Sequence, residues 1–150
     1  MLVYLDTCSL QRPLDSKSQA RIHLEAEAVL AVLGLCETGH IRLVSSEVLF
    51  FEISRTPDAF RRAYALKVLS NVGVHIDTSD QVVERARIYQ SSGVSPLDAL
   101  HLASSVQGEA DFFCTCDDRL LRRARSTETL RTKVVSPLEL VQEIDEWRSS

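Results

Sequence analysis

The chain has 150 residues and a formal net charge of −4. That is about one domain's worth of sequence, long enough to bury a core without disulfide or metal staples. An apolar fraction of 45% with 25% charged residues excludes a disordered chain, and the acidic balance excludes a surface that binds polyanions everywhere while allowing a local basic stripe.

The chain opens on the apolar run Leu2-Val3-Tyr4-Leu5, the pattern of a strand buried on both faces. No basic segment precedes it and Asp6 cuts it short, so it is not read as a signal peptide. A polar segment follows from Gln11 to Gln19. Ile22, Ala26, Val29, Leu30 and Leu33 then recur at helical spacing, which predicts a helix to about Glu37 with a break at Gly39. Its apolar stretch, Ala28 to Cys36, is far too short to span a bilayer. Ile41 to Val44 reads as a second strand. Ser45 or Ser46 is placed to cap the next helix, which carries Val48, Leu49 and Glu52. Pro57 ends that helix or starts the following one, Ala59 to Ser70.

Val72 to Ile76 is expected to be a short strand, and Val82, Val83, Ala86 and Tyr89 mark a helix closed near Gly93. Ser95 to Gln107 has the strongest helix signal, with Ala99, Leu102, Ala103 and Val106 on one face and Gly108 as the stop. A strand at Phe112 to Thr115, a basic helix from Asp118, a strand at Lys133 to Val135 and a helix from Pro137 to about Trp147 complete the chain. Strands alternating with helices predict a three-layer α/β/α fold with a central, mostly parallel sheet, organised as one domain over residues 1–150.

Four acids stand at the ends or edges of these elements: Asp6, Glu52, Asp98 and Asp117. Asp6 ends the first strand and Asp117 closely follows the Phe112 strand. In a parallel sheet both emerge at carboxyl ends, where open α/β sheets place their sites. Clustered carboxylates repel unless a cation joins them, and hard oxygen ligands suit Mg²⁺ or Mn²⁺.

Each acid also has an ordinary structural explanation. Ser95-Pro96-Leu97-Asp98 fits a helix start, and Ser136-Pro137-Leu138-Glu139 fits one equally well. Asp117 is placed to cap the helix of Leu120 and Leu121. Asp6 has no evident helix to cap. Glu47 competes with Glu52, and Asp111 or Asp118 with Asp117; spacing alone leaves these choices open. His101, one turn beyond Asp98, is within reach of the same region but reads more readily as a packed residue. No CxxC occurs, and Cys8, Cys36, Cys114 and Cys116 are expected to be free thiols in a reducing cytoplasm.

The order of the motifs is more specific than any one of them. Leu5-Asp6-Thr7, Ser46 with Glu52 six residues later, Asp98-Ala99-Leu100-His101-Leu102-Ala103 and Thr115-Cys116-Asp117 follow one another along nearly the whole chain. In this the sequence resembles the PIN domain family, the nuclease domain of VapC-type toxins in toxin–antitoxin pairs. The segment Arg12-Pro13-Leu14-Asp15, with Arg21 and Glu25, is similar to a subgroup not always paired with an obvious antitoxin.

The resemblance implies an Mg²⁺- or Mn²⁺-dependent endoribonuclease. Its first metal ligands would be Asp6, Asp98 and Asp117. Glu52 would hold a second ion or orient water, and Thr115 would support the site. It favours Glu52 over Glu47 and Asp117 over Asp111 or Asp118. It further implies a homodimer with an RNA substrate and, where one is paired with it, a small antitoxin protein. The cysteines and the short apolar stretch separately lead to the expectation of a cytoplasmic protein with no membrane association.

Arg119, Arg122 and Arg123 lie near one helical face beside Asp117 and are placed to contact RNA phosphates. The competing expectation is a PIN-like domain that binds RNA or protein without cutting. A haloacid-dehalogenase-like phosphatase would need a second Asp at the position of Cys8, and a dinucleotide-binding domain would need a Gly-rich turn after the first strand; neither is present.

Overall fold

A computed structural model describes residues 1–70 and 73–150. Five strands, β1 (Leu2–Leu5), β2 (Arg42–Ser46), β3 (Val74–Ile76), β4 (Phe112–Cys114) and β5 (Lys133–Val135), form one sheet in the order β3-β2-β1-β4-β5. Every pairing is parallel. The flanking helices are α1 (Thr7–Gln11), α2 (Ala20–Glu37), α3 (Glu47–Ser54), α4 (Ala59–Leu69), α5 (Asp80–Ser91), α6 (Pro96–Gln107), α7 (Asp118–Arg125) and α8 (Pro137–Ser149), with a 3-10 turn at Arg12–Leu14. The arrangement is the expected three-layer α/β/α fold.

β1 is the central strand of the sheet. Val3 and Tyr4 are fully enclosed, which is what an apolar run without alternation requires when helices cover both faces. α5 packs along α6, and α6 lies on β2, β3 and β4, while α2 packs on α8. α6 buries Ala99, Leu102, Ala103 and Val106, as its periodicity predicts, but also His101, Ser104 and Ser105. It is enclosed nearly all round because the sheet takes one side and α5 another. At its end Gly108 approaches the sheet so closely that a Cβ would meet Ile76 Cγ1 at 2.9 Å.

The polar segment after β1 differs from its expectation. α1 and the 3-10 turn fill its beginning, because Asp6 caps a five-residue helix too short to show periodicity. Pro13 fits the first turn of the 3-10 segment, where its missing N–H removes no hydrogen bond. The second strand extends to Ser46, and Pro57 falls in the connection between α3 and α4. Of the predicted strand Val72 to Ile76, Val72 lies outside the described residues and Val74–Ile76 pairs with β2. No helix among the described residues is long and apolar enough to cross a membrane.

Candidate active site

Winding away from β1 proceeds through β2 and β3 on one side and through β4 and β5 on the other. The switch therefore falls between β1 and β4, and crevices at the carboxyl ends of strands on either side of such a switch are where open α/β sheets bind ligands. Asp6 follows the last residue of β1, and its N–H donates to the Cys114 carbonyl at 3.2 Å. Asp117 stands three residues beyond the end of β4.

Asp6 does cap a helix, contrary to the sequence expectation. Its Oδ1 accepts from the Ser9 N–H at 3.0 Å and from the Cys8 thiol at 3.0 Å. Ser9, fully buried, turns its hydroxyl onto the Cys114 carbonyl at 3.2 Å and ties the cap to β4. Asp117 is the N-cap of α7, with Oδ1 accepting from the Arg119 and Leu120 N–H groups at 2.9 and 3.2 Å. The Thr115 hydroxyl accepts from the Asp117 N–H at 3.1 Å and so fixes the turn that presents this acid.

Asp98 sits in the first turn of α6, its Oδ2 accepting from the Ser95 hydroxyl at 2.8 Å. Glu52, on α3, uses Oε1 to accept from Thr7 and from His101 Nε2, the latter at 3.2 Å. Each of these four carboxylates thus has one oxygen held by the protein. The other oxygen of each accepts no hydrogen bond from the described residues.

The electrostatics separate the four. Burial raises the Asp98 carboxyl above the usual range, the charges of Asp6 and Asp117 raise it further, and Ser95 and His101 oppose the shift. Desolvation is therefore the larger cause, with like-charge repulsion second. Glu52 moves the other way. The hydrogen bond from His101 lowers it most, and Thr7 assists against partial burial.

Competing acids have other occupations. Glu47 Oε1 accepts from the Thr78 N–H at 3.1 Å. Asp111 lies at the amino ends of the strands, where it accepts from the Leu2 N–H at 2.7 Å and pairs with Arg131 at 2.7 Å. Asp118 pairs with Arg21 at 2.6 Å. The segment after α1 is tied down by Arg12, 2.9 Å from Asp15 and 3.4 Å from buried Glu25, with Arg21 3.5 Å from Glu25 and Arg61 2.8 Å from Asp15. These ion pairs hold the peptide beyond Asp6 against α2 and α4, and Arg21 with Asp118 ties α2 in turn to α7.

Arg119 and Arg122 are exposed on α7, whereas Arg123 donates to the Gly93 carbonyl at 2.6 Å. All four cysteines are free.

Sequence reasoning missed one group of residues. Tyr4 was legible only as core, yet its hydroxyl lies 2.6 Å from Ser46 Oγ and 2.6 Å from His101 Nδ1. The available signal was a tyrosine in a fully buried strand, since a phenol hydroxyl in such a place needs a partner.

Among the described residues, no three His, Cys, Asp or Glu side chains stand together as a group that could hold a metal ion as they are placed. The donor set nonetheless fits a hard divalent cation. It consists of carboxylates alone, each steadied through one oxygen and free to offer the other.

A PIN domain family model matches residues 3–126. The chain belongs to the PIN domain family. PIN domains are generally nucleases, and these nucleases generally use divalent metal ions. No curated protein matches the chain. Among solved structures, this PIN domain is similar to a chain in the crystal structure of VapBC2 from Rickettsia felis bound to a DNA fragment from their promoter. The two share a TM-score of 0.59 and 14% identity over 91% of this chain and 98% of that one. At that identity the likeness concerns the fold.

Proposed function

We propose that this PIN domain is an Mg²⁺- or Mn²⁺-dependent endoribonuclease, acting in the cytoplasm as the toxin of a toxin–antitoxin pair, with residues 1–150 as one nuclease domain. The observation that supports the reading is a set of four carboxylates, with Asp6 and Asp117 beyond the strands that flank the switch point, each with one oxygen anchored and one unclaimed. Asp6, Asp98 and Asp117 would hold the cation, and Glu52 would orient the attacking water or hold a second ion. A divalent cation in such a site shields the phosphate, lowers the pKa of an attacking water and stabilises the leaving oxygen.

The chain's own residues provide the frame. Thr115 fixes the turn of Asp117 and Ser9 that of Asp6, while Arg119 and Arg122 would present positive charge for RNA phosphates, with Arg123 engaged at the Gly93 carbonyl beside them. The toxin role and a small antitoxin partner draw support from the likeness to the VapBC2 chain, and a homodimer is what the resemblance to VapC-type toxins implies.

The test is cleavage of end-labelled single-stranded RNA by purified protein with Mg²⁺ or Mn²⁺, compared with EDTA and with Asp6→Asn. We expect internal cleavage that needs the metal and disappears in the variant. RNA binding without cleavage under any metal would favour the non-catalytic alternative, an RNA- or protein-binding PIN-like domain. The absence, among the described residues, of three such side chains placed to hold a metal ion together is the observation on that side.

A further inference from the structure

α6 carries a histidine that the proposed chemistry leaves unassigned. His101 is 1% exposed, and both of its ring nitrogens are engaged. Nδ1 faces the Tyr4 hydroxyl at 2.6 Å, and Nε2 faces Glu52 Oε1 at 3.2 Å. Tyr4 in turn reaches Ser46 Oγ at 2.6 Å, and Ser46 Oγ accepts from the Leu49 N–H at 3.1 Å. On the far side, Thr7 donates to the same Glu52 oxygen. The result is a chain of side chains from the floor of the sheet to a carboxylate at its edge. It links β1, β2, α3, α6 and α1 through residues up to 97 positions apart in sequence.

The donor count gives this chain a direction. An ionised Glu52 has no proton to offer, so its contact with Nε2 is favourable only when Nε2 carries the hydrogen. In the neutral ring Nδ1 is then an acceptor, Tyr4 donates to it, and Ser46 donates to Tyr4. Each hydroxyl in that arrangement donates once and accepts once, and every side-chain polar atom of Tyr4, Ser46 and His101 has a partner.

Packing fixes the rings. Tyr4 stacks on Phe113 with centroids 5.4 Å apart and meets His101 edge-on at 5.8 Å. A side chain as long as glutamate has several rotatable bonds, and on a partly exposed helix edge it would sample many of their states. Two donors on one oxygen remove that freedom and leave Oε2 as the oxygen that can act.

We infer that His101 is a positioning residue, which, held by Tyr4 and Ser46, donates Nε2–H to Glu52 and fixes the orientation in which that acid works. The inference rests on the proposed role of Glu52 in RNA cleavage. It goes further by assigning buried core residues to the function.

Two measurements on the full chain test it, and one of them does not depend on activity. The first is the histidine protonation state by ¹⁵N NMR, with His101 assigned through His101→Gln. We expect a protonated Nε2; an unprotonated Nε2 would overturn the proposal. The second is cleavage kinetics with single-stranded RNA and Mn²⁺ for Tyr4→Phe, His101→Leu and His101→Gln beside Glu52→Gln. Removing a group that orients a metal-site carboxylate typically costs about 10–100-fold, so His101→Leu should lower kcat by about that factor and leave KM nearly unchanged.

His101→Gln retains an N–H at the Nε2 position and should recover most of the loss. Tyr4→Phe keeps the ring stack and removes only the hydroxyl, so it should fold, with a smaller fall in kcat. It keeps the proposal testable if His101→Leu does not fold. An unchanged kcat in Tyr4→Phe, and in His101→Leu where it folds, with Glu52→Gln inactive, would overturn the positioning role alone. Full activity in Glu52→Gln would instead overturn the assigned role of Glu52, whatever the protonation state of His101.

Discussion

Two helix starts in this protein share nearly the same four residues and are built differently. Ser136-Pro137-Leu138-Glu139 opens α8 as a complete capping box. The Ser136 hydroxyl accepts from the Glu139 N–H at 3.2 Å, and Glu139 Oε1 accepts from the Ser136 N–H at 3.1 Å. Its second oxygen takes Arg125 at 2.6 Å, so both oxygens are spent on structure.

Ser95-Pro96-Leu97-Asp98 opens α6 without any side-chain cap on the backbone. There the Ser95 hydroxyl donates to Asp98 instead, one carboxylate oxygen stays unclaimed, and burial, with two further acids behind it, raises its pKa. One methylene of side-chain length is part of the reason, since aspartate reaches back to the N-cap amide less readily than glutamate. Surroundings supply the rest. α7 sends Arg125 to Glu139 but sends Arg123 to the Gly93 carbonyl, two residues ahead of Ser95, where it supports the loop and neutralises no acid. An acid at a helix start is structural when its charge is answered and a candidate for function when it is not.

The sharpest way to break that comparison is to neutralise each acid in turn. Asp98→Asn should lower RNA cleavage by about a hundredfold or more, equivalent to about 2.7 kcal/mol of barrier, with little change in melting temperature. Glu139→Gln should leave cleavage within experimental scatter and cost about 1 kcal/mol of stability by weakening the capping box. Thermal denaturation and single-turnover cleavage of both variants decide the matter. An unfolded Asp98→Asn would place the two motifs in the same class after all.

Asp117 combines both roles, so its two substitutions should come apart. Asparagine caps helices as well as aspartate does, whereas alanine does not. Asp117→Asn is therefore expected to lose cleavage and keep stability, while Asp117→Ala should lose cleavage and about 1 kcal/mol besides. Equal stability of the two variants would mean that the bonds to the Arg119 and Leu120 amides contribute nothing measurable.

The pH dependence of folding should have opposite signs at the two helix starts. In the metal-free protein Asp98 binds its proton more tightly when folded. The stability associated with it is present below the unfolded carboxylate pKa and declines as pH rises through the raised folded value. Glu139 is lowered, against its partial burial, by Arg125 and Ser136. Its contribution is present above the unfolded pKa and is lost as pH falls through the folded one. Denaturant midpoints against pH in EDTA should show the first trend disappear in Asp98→Asn and the second in Glu139→Gln.

Much of this was legible in sequence because it is local. The buried run of β1, the helical face of α6 and the motif around each of the four acids lie within short windows, and the order of those motifs is read directly along the chain. Long-range partners were not legible. The identical reading of the two Ser-Pro-Leu-acid starts failed to separate them because Arg125, Asp6 and Asp117 reach them through space. α1 was missed because five residues show no period, and Asp6 was thereby denied its capping role. The link from Tyr4 to His101 joins positions that no spacing rule connects. The like-charge effect expected among all four acids was too simple, since burial leads at Asp98 and a hydrogen-bonded histidine reverses the direction at Glu52.

The smallest expected effects concern the arginines of α7, which divide as the helix starts do. Arg119 and Arg122 are exposed, and neither is bound to a backbone carbonyl as Arg123 is to Gly93. Phosphate neutralisation releases counterions, so Arg119→Ala and Arg122→Ala should each weaken RNA binding and reduce the slope of log affinity against log salt by about one. Metal affinity should not change, because neither residue is a proposed ligand. Arg123→Ala should act differently. It removes a hydrogen bond at the start of the loop that delivers Asp98, so the expected result is a modest loss of stability, about 1 kcal/mol, with a smaller change in salt slope. Titrations of an uncleavable RNA at several salt concentrations separate the cases. An identical drop in slope for all three would show that Arg123 leaves Gly93 to meet the phosphate. Binding indifferent to salt in every variant would remove the basic face from the RNA path and leave the carboxylates to be tested alone.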